Sequence, residues 1–290
     1  MDGDGWTINP ISGSGPAIEA VLAHVDVEHR MLDRWVEDAD VVYGAFIDDR
    51  VVAFGARFHF PLHPARDWIT VHVEPTRRRC GIGSELLQRL RAGREVPTKA
   101  RIPSDQRAGL RFAHGHGYSL LVTSADVALR DLPEPSPLPD TEILAVPVDD
   151  GEFLEALGRL YAASHRWDPC VDLEQADVRR LLAGDDVIRG TAHVIRRGGE
   201  IIGVGLAYRG RSAGAVEMAN FGAVDPEASD AVQITHAVLH AVGRKFLDSG
   251  VSIAIECDYG TGANSALQDL LDRFGTRPGS AVQILAASTT

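Results

Sequence analysis

The sequence predicts an α/β (α+β) fold made of two tandem domains, each a mixed, mostly antiparallel central sheet flanked by helices. Three observations carry this. Runs with strand period alternate with runs of helical period in the order βααβββαβαβ(β) over the first half. The second half repeats that order. Between them stands Leu132-Pro133-Glu134-Pro135-Ser136-Pro137-Leu138-Pro139-Asp140, whose alternate prolines fix φ and remove backbone donors, as in a semi-stiff connector. The expected division is therefore 1–132, a connector 133–140, and 141–290.

Element by element, Trp6 to Ile11 reads as a short strand, and Pro16 to Val25 and Val27 to Val36 as helices. Val41–Ile47 and Val51–Phe60 flank Asp48-Asp49-Arg50, a hairpin pattern. Trp68–Val73 is a β-branched strand, and Gly81–Ala92 carries Ile82, Leu86, Leu87 and Leu90 at helical spacing. Thr98–Ile102 is a strand, Asp105–His114 a helix and Tyr118–Leu132 one long strand or two. In the second half, Glu142–Val148 is a strand, and Gly151–Ala163 and Glu174–Ala183 are helices. Thr191–Arg196 and Glu200–Tyr208 form a hairpin around Gly198-Gly199, and Ala215–Val224 is a strand. Ala228–Leu247 is a helix, Val251–Cys257 a strand, Asn264–Phe274 a helix and Ala281–Ala286 a closing strand.

Composition narrows the function. The 290 residues are 44% hydrophobic and 24% charged, which is globular composition, and the formal net charge is −12. A chain that neutralises phosphates along a nucleic acid wants the opposite sign, so a nucleic-acid partner is not expected. No apolar run approaches the roughly 20 residues needed to span a bilayer. The start, Met1-Asp2-Gly3-Asp4-Gly5, lacks the basic and apolar segments of a signal peptide. No membrane partner and a cytoplasmic location are expected. Cys80, Cys170 and Cys257 form no CxxC pair and no disulfide framework, and no metal is expected. Through Pro135 there are 16 basic and 19 acidic residues, a net of −3; from Ser136 onward, 13 and 22 give −9. The acidity of the second half suits solubility or a cationic partner.

The chemistry concentrates in Trp68-Ile-Thr-Val-His-Val-Glu-Pro-Thr-Arg-Arg-Arg-Cys-Gly-Ile-Gly-Ser-Glu-Leu-Leu87. A strand enters a basic, glycine-bearing turn and leaves as an amphipathic helix. The N–H groups of about Arg79 to Ser84 lack intrahelical partners and point outward at the positive end of the helix dipole. Gly81 and Gly83 let a phosphate approach the backbone, and Arg77, Arg78 and Arg79 add cationic donors. These residues make a pyrophosphate cradle. A Walker loop is absent, since neither Lys99 nor Lys245 follows glycines in that pattern, and Gly81-Ile82-Gly83 lacks the third small residue of a dinucleotide fingerprint. No G-x-S-x-G elbow supports a serine hydrolase.

Arg78-Arg79-Cys80-Gly81-Ile82-Gly83, with Val71-x-Val73-x-Pro75 before it and Leu86-Leu87 after it, resembles motif A of the GCN5-related N-acetyltransferases (GNAT). The element order resembles that family over 6–132. The resemblance implies acetyl-CoA as cosubstrate, with its pyrophosphate on Arg79, Cys80, Gly81, Ile82, Gly83 and Ser84 beside Arg78. It also places Val71 and Val73 on the strand that lines the thioester arm, with a backbone donor near Val73. The second half resembles the fold more weakly. Its loop, Gly222-Ala-Val-Asp-Pro-Glu-Ala-Ser-Asp230, has acidic residues where an anion should sit, and it reads as a degenerate copy.

Acetyl transfer to a primary amine of a small molecule or peptide needs a proton acceptor. His72 and Glu74 share one side of the strand, since side chains alternate, and either suits that role. In the family a Tyr lies four residues before a Gly-Phe pair. Here Gly117-Tyr118 stands in that place, and counting back reaches Ala113. The thiolate then leaves unassisted, or His114 or His116 supplies the proton, or the first half binds acyl-CoA without turnover as a scaffold. His236 and His240, four apart on a helix, have the spacing of a metal pair without a third ligand. Monomer and homodimer are both compatible with the sequence.

Overall fold

In the computed structural model the described residues are 5–11, 19–21, 23, 39–210, 214–274 and 281–287. The two helices expected over Pro16–Val36 lie almost wholly outside them; Glu19 to Val21 are helical. The chain forms two compact units, Met1–Leu120 with Ile284–Thr290, and Leu121–Gln283. This differs from the division at the proline run in two ways: the break comes earlier, and the last residues return to the first unit.

The first unit has the strand order β1 (Thr7–Pro10), β2 (Val41–Ile47), β3 (Arg50–Phe58), β4 (Asp67–Val73), β5 (Thr98–Pro103), β14 (Ala281–Ala287) and the start of β6 (Tyr118–Leu129). Pairings from β1 through β4 are antiparallel, while β4 and β5 run parallel. The β2–β3 turn sits on Asp48 and Asp49, both at positive φ, 48° and 62°, which Asp tolerates better than most residues. Helix α1 (Ile82–Arg91) buries the predicted stripe Ile82, Leu86, Leu87 and Leu90. Ile82 and Leu86 join Ile8, Ala45, Val52 and Ala53 in one core cluster. Leu87 and Leu90 join Ile69, Ala113, Tyr118 and Leu285 in another, so the chain's final strand contributes a fully buried leucine to this unit. Gly55 permits the close packing of α1 on β3: a Cβ there would stand 2.9 Å from Leu90 Cδ1. Helix α2 (Arg107–Gly115) follows β5.

The second unit is α/β as well. One sheet runs β6, β13 (Ile253–Tyr259), β11 (Val216–Met218), β10 (Tyr208–Arg209); a second runs β12 (Phe221–Ala223), β9 (Glu200–Gly205), β8 (His193–Arg197), β7 (Thr141–Ala145). Two expected single strands are each split. Ala215–Val224 becomes β11 and β12, in different sheets on either side of Asn220, and Glu200–Tyr208 becomes β9 and β10. Helices α3 (Gly151–Ser164), α4 (Gln175–Leu181), α5 (Ala231–Asp248) and α6 (Ser265–Arg273) complete the unit. Asp150 and Asn264 cap α3 and α6 by accepting from Phe153 N (2.9 Å) and Leu267 N (3.1 Å). The proline run is docked on α5. His236 bonds the Pro133 carbonyl at 2.9 Å, Arg244 donates to the Leu132 carbonyl at 3.2 Å, and His240 lies 3.3 Å from Glu134. These contacts account for the His236–His240 spacing. Among the described residues no three His, Cys, Asp or Glu side chains gather as a metal site, and no helix is long and apolar enough to cross a membrane.

Candidate active site

The site is organised by a fork between β4 and β5. The two strands pair only at Asp67↔Thr98 and Trp68↔Lys99. Beyond that point β4 continues to Val73 and β5 to Pro103 without pairing to each other. The root of the fork is locked electrostatically. Asp67 is fully buried; Arg94 donates to it from Nε at 2.8 Å and Nη2 at 3.1 Å, and His59 Nδ1 lies 3.0 Å away. Burial alone would push this carboxyl up, but the hydrogen bonds and charges of Arg94 and His59 hold it below the usual range.

At the other end of β4 the chain turns through a short 3-10 segment, Pro75–Arg77, into the basic loop. Arg79 and Gly81 adopt left-handed conformations, with φ of 66° and 81°. A Cβ at Gly81 would meet nothing within 4 Å, so the backbone stands open to a ligand. The first helical bond of α1 runs from Glu85 N to Gly81 O at 3.1 Å, which leaves the N–H groups of Ile82, Gly83 and Ser84 ahead of it. Arg77, Arg78, Arg79 and Cys80 are exposed around this end. The predicted cradle residues are therefore together, and their geometry fits an anion. Arg78 also donates from Nε to the Val73 carbonyl at 3.0 Å, tying the loop back to the strand. A Cβ at Gly83 would lie 3.4 Å from Phe112 and 3.6 Å from Val73. The helix start, the end of β4 and α2 thus converge at the mouth of the fork.

Of the two proton-acceptor candidates, His72 lies on β4 and Glu74 just beyond its end, and each already has partners. His72 stacks on Phe54 with centroids 5.1 Å apart, and its Nε2 lies 2.8 Å from the Thr70 hydroxyl. Burial, aided by the nearby Arg78 charge, lowers its pKa to about 4, so the ring is neutral at pH 7. Glu74 is buried and paired with Arg50, which makes two bonds to its carboxylate, one of 3.1 Å from Nη2. Sequence reading missed Arg50. The signal lies in strand register: Ala53 pairs with Val73 and Glu74 N bonds Val52 O at 2.9 Å, which carries the hairpin turn to the end of β4.

A stability test follows from His72. Its folded pKa lies below the unfolded value of about 6.5, so the unfolded chain takes up a proton that the folded chain refuses. Stability is complete above pH 6.5 and falls toward pH 4, by up to about 1.4 kcal/mol per pH unit. Urea unfolding at pH 7, 6 and 5 is expected to show this slope, and His72→Gln is expected to reduce it.

Ala113, at the place of the family's Tyr, is buried in the core with Leu87 and Leu90 and offers no donor. His114 Nδ1 is bonded to the Tyr118 carbonyl at 3.0 Å. His116 Nε2 reaches Ser84 Oγ at 3.0 Å, at the cradle. In the second unit the corresponding loop carries its own anions. Asp230 is the N-cap of α5 and pairs with Arg197 at 2.7 Å, and Glu227 pairs with Arg166 at 2.6 Å.

Residues 17–98 match the acetyltransferase (GNAT) family. No curated protein matches the chain. Similar solved structures include a GCN5-related N-acetyltransferase from Sphaerobacter thermophilus, 17% identical, spanning 98% of this chain and 96% of that one, with a TM-score of 0.68. A tandem GNAT protein from the clavulanic acid biosynthesis pathway, solved without AcCoA, is 12% identical over 98% and 99% of the two chains, with a TM-score of 0.62. A GNAT-family acetyltransferase from Colwellia psychrerythraea is 11% identical over 97% and 100%, with a TM-score of 0.59. At these identities the likeness is one of fold. Residues 17–98 thus match the acetyltransferase (GNAT) family, and the chain as a whole has the fold of GNAT proteins.

Proposed function

We propose that the chain is an acetyl-CoA-dependent N-acetyltransferase acting on a primary amine of a small molecule or peptide, with the first unit as the catalytic one. The observation that supports this most is the open, left-handed turn at Gly81, flanked by Arg77 to Arg79, at the mouth of the β4–β5 fork. Bound there, acetyl-CoA would supply an activated acyl thioester. The N–H groups of Ile82, Gly83 and Ser84 and the Arg78 and Arg79 side chains would hold its pyrophosphate. The unpaired edge of β4 beyond Trp68 offers backbone groups, Val71 and Val73 among them, to an extended ligand arm and its carbonyl. His72, neutral at pH 7, and Glu74, anchored by Arg50, would take the amine proton through water. The second unit, with Asp230 and Glu227 at the start of α5, would bind no CoA, and its acidity would favour a cationic acceptor.

A second reading, acyl-CoA binding without turnover, is favoured by one observation: Ala113 replaces the usual proton donor and is part of the core. Thiol release from acetyl-CoA across a panel of primary amines separates the two. Turnover with at least one amine is expected. Glu74→Gln is expected to lower kcat about tenfold or more while leaving acetyl-CoA affinity unchanged. Tight binding with no release for any amine would favour the second reading, and an unchanged kcat in Glu74→Gln would remove Glu74 as acceptor.

A further inference from the structure

The Ser84–His116 pair has a consequence for how the cradle handles charge. His116 Nδ1 lies 2.8 Å from the Phe112 carbonyl oxygen, and its Nε2 lies 3.0 Å from Ser84 Oγ. A carbonyl only accepts, so Nδ1 carries the hydrogen. In the neutral ring Nε2 is then bare and accepts the Ser84 hydroxyl proton. Ser84 thereby turns lone pairs, and no hydrogen, toward the turn where an anion would sit. Protonation reverses the bond: Nε2–H donates to Ser84 Oγ, and the hydroxyl hydrogen is released to donate to a phosphate oxygen. A phosphate bound at the turn would attract an imidazolium and accept the released hydroxyl hydrogen. Phosphate binding and proton uptake are therefore expected to reinforce each other.

We propose that His116 is a positioning residue of the phosphate site, taking up a proton when the pyrophosphate of acyl-CoA binds and turning Ser84 from acceptor to donor. This rests on the cradle being the CoA site. The pair is accessible, because Ser84 and His116 line a groove of about 510 Å³ together with Leu87, Gln88, Arg91 and Ala92. The ionisable groups on the elements packed around His116 are mostly cationic, and Tyr118 of β6 lies under the Arg91 guanidinium at 4.7 Å. On α1, Arg91 donates to the His116 carbonyl at 3.2 Å, and Glu85 is paired with Arg89 at 2.9 Å. On α2 stand Arg107, Arg111 and His114, the last bonded to the Tyr118 carbonyl. Arg79 and Cys80 stand in the turn before Gly81. The neighbouring carboxylate is engaged elsewhere, so a phosphate is the group that would offset a charged His116.

The test is calorimetric titration of acetyl-CoA into the full chain at pH 7, in two buffers of different ionisation enthalpy, for wild type, His116→Gln and Ser84→Ala. Titration of the cofactor's own phosphate enters all three equally. Wild type is expected to take up a larger fraction of a proton per ligand than either variant. Its affinity is expected to weaken up to tenfold more than that of His116→Gln between pH 6 and pH 8. Equal proton uptake in wild type and both variants, with binding intact, overturns the role of His116 and leaves the cofactor reading standing. Absence of wild-type binding throughout that range overturns the cofactor reading itself.

Discussion

Arg78→Glu combined with Gly83→Asp is expected to weaken acetyl-CoA binding by at least about 100-fold, or roughly 3 kcal/mol. Both changes act on the same electrostatics. Arg78 is one of three exposed cations around the turn, and its reversal puts a carboxylate beside the free N–H groups of α1. Gly83 lies within the first turn of α1, where an Asp side chain would compete with phosphate for the same donors. The fold is expected to survive. A Cβ at Gly83 stays at 3.4 Å or more from its nearest neighbours, Phe112 and Val73, and an acidic residue at a helix start is locally favourable. Circular dichroism and urea midpoints near those of wild type, with binding lost in calorimetry, are the expected pair of results. Unchanged affinity would remove the cradle as the phosphate seat.

Asp67→Ala is expected to cost about 3 kcal/mol of stability, measured by urea unfolding at pH 7. The carboxylate is fully buried and is the common partner of Arg94 and His59, with Arg57 Nε 3.9 Å away. Removing it leaves guanidinium groups facing one another around a cavity at the base of the fork. Because Asp67 pairs with Thr98 where β4 and β5 part, the loss is also expected to weaken acetyl-CoA binding. The acid response follows in sign. The Asp67 carboxyl titrates lower in the folded chain than in the unfolded one, so its contribution is present above about pH 4 and is lost as pH falls further. The Ala variant is therefore expected to lose less stability than wild type below pH 4.

Much of the first unit was legible because local rules and tertiary packing agree there. The stripe Ile82, Leu86, Leu87, Leu90 specifies one buried helix face, and Asp48-Asp49 suits the hairpin turn. The geometry of the basic turn was legible for the same reason: helix-start N–H groups, glycines and arginines are consecutive in the chain. What escaped were effects of register and long-range pairing. Arg50 reaches Glu74 only because β3 pairs with β4 in one register. His116 reaches Ser84 across 32 residues, and at sequence level it read only as a candidate acid. The final strand looked like the close of the second half, yet Leu285 packs with Ile69, Leu87 and Leu90 of the first. Periodicity says that a strand exists and not which neighbour it takes. The split of Ala215–Val224 is of the same kind, since its apolar run is continuous in sequence while its two parts join different sheets.

Calorimetric titration of the intact wild-type chain with acetyl-CoA tests the central claim most directly, because it counts sites as well as affinity. One site per chain is expected, filled at the Arg78–Ser84 turn of the first unit, with the acidic start of α5 in the second unit taking none. No binding, or two equivalent sites per chain, would contradict it.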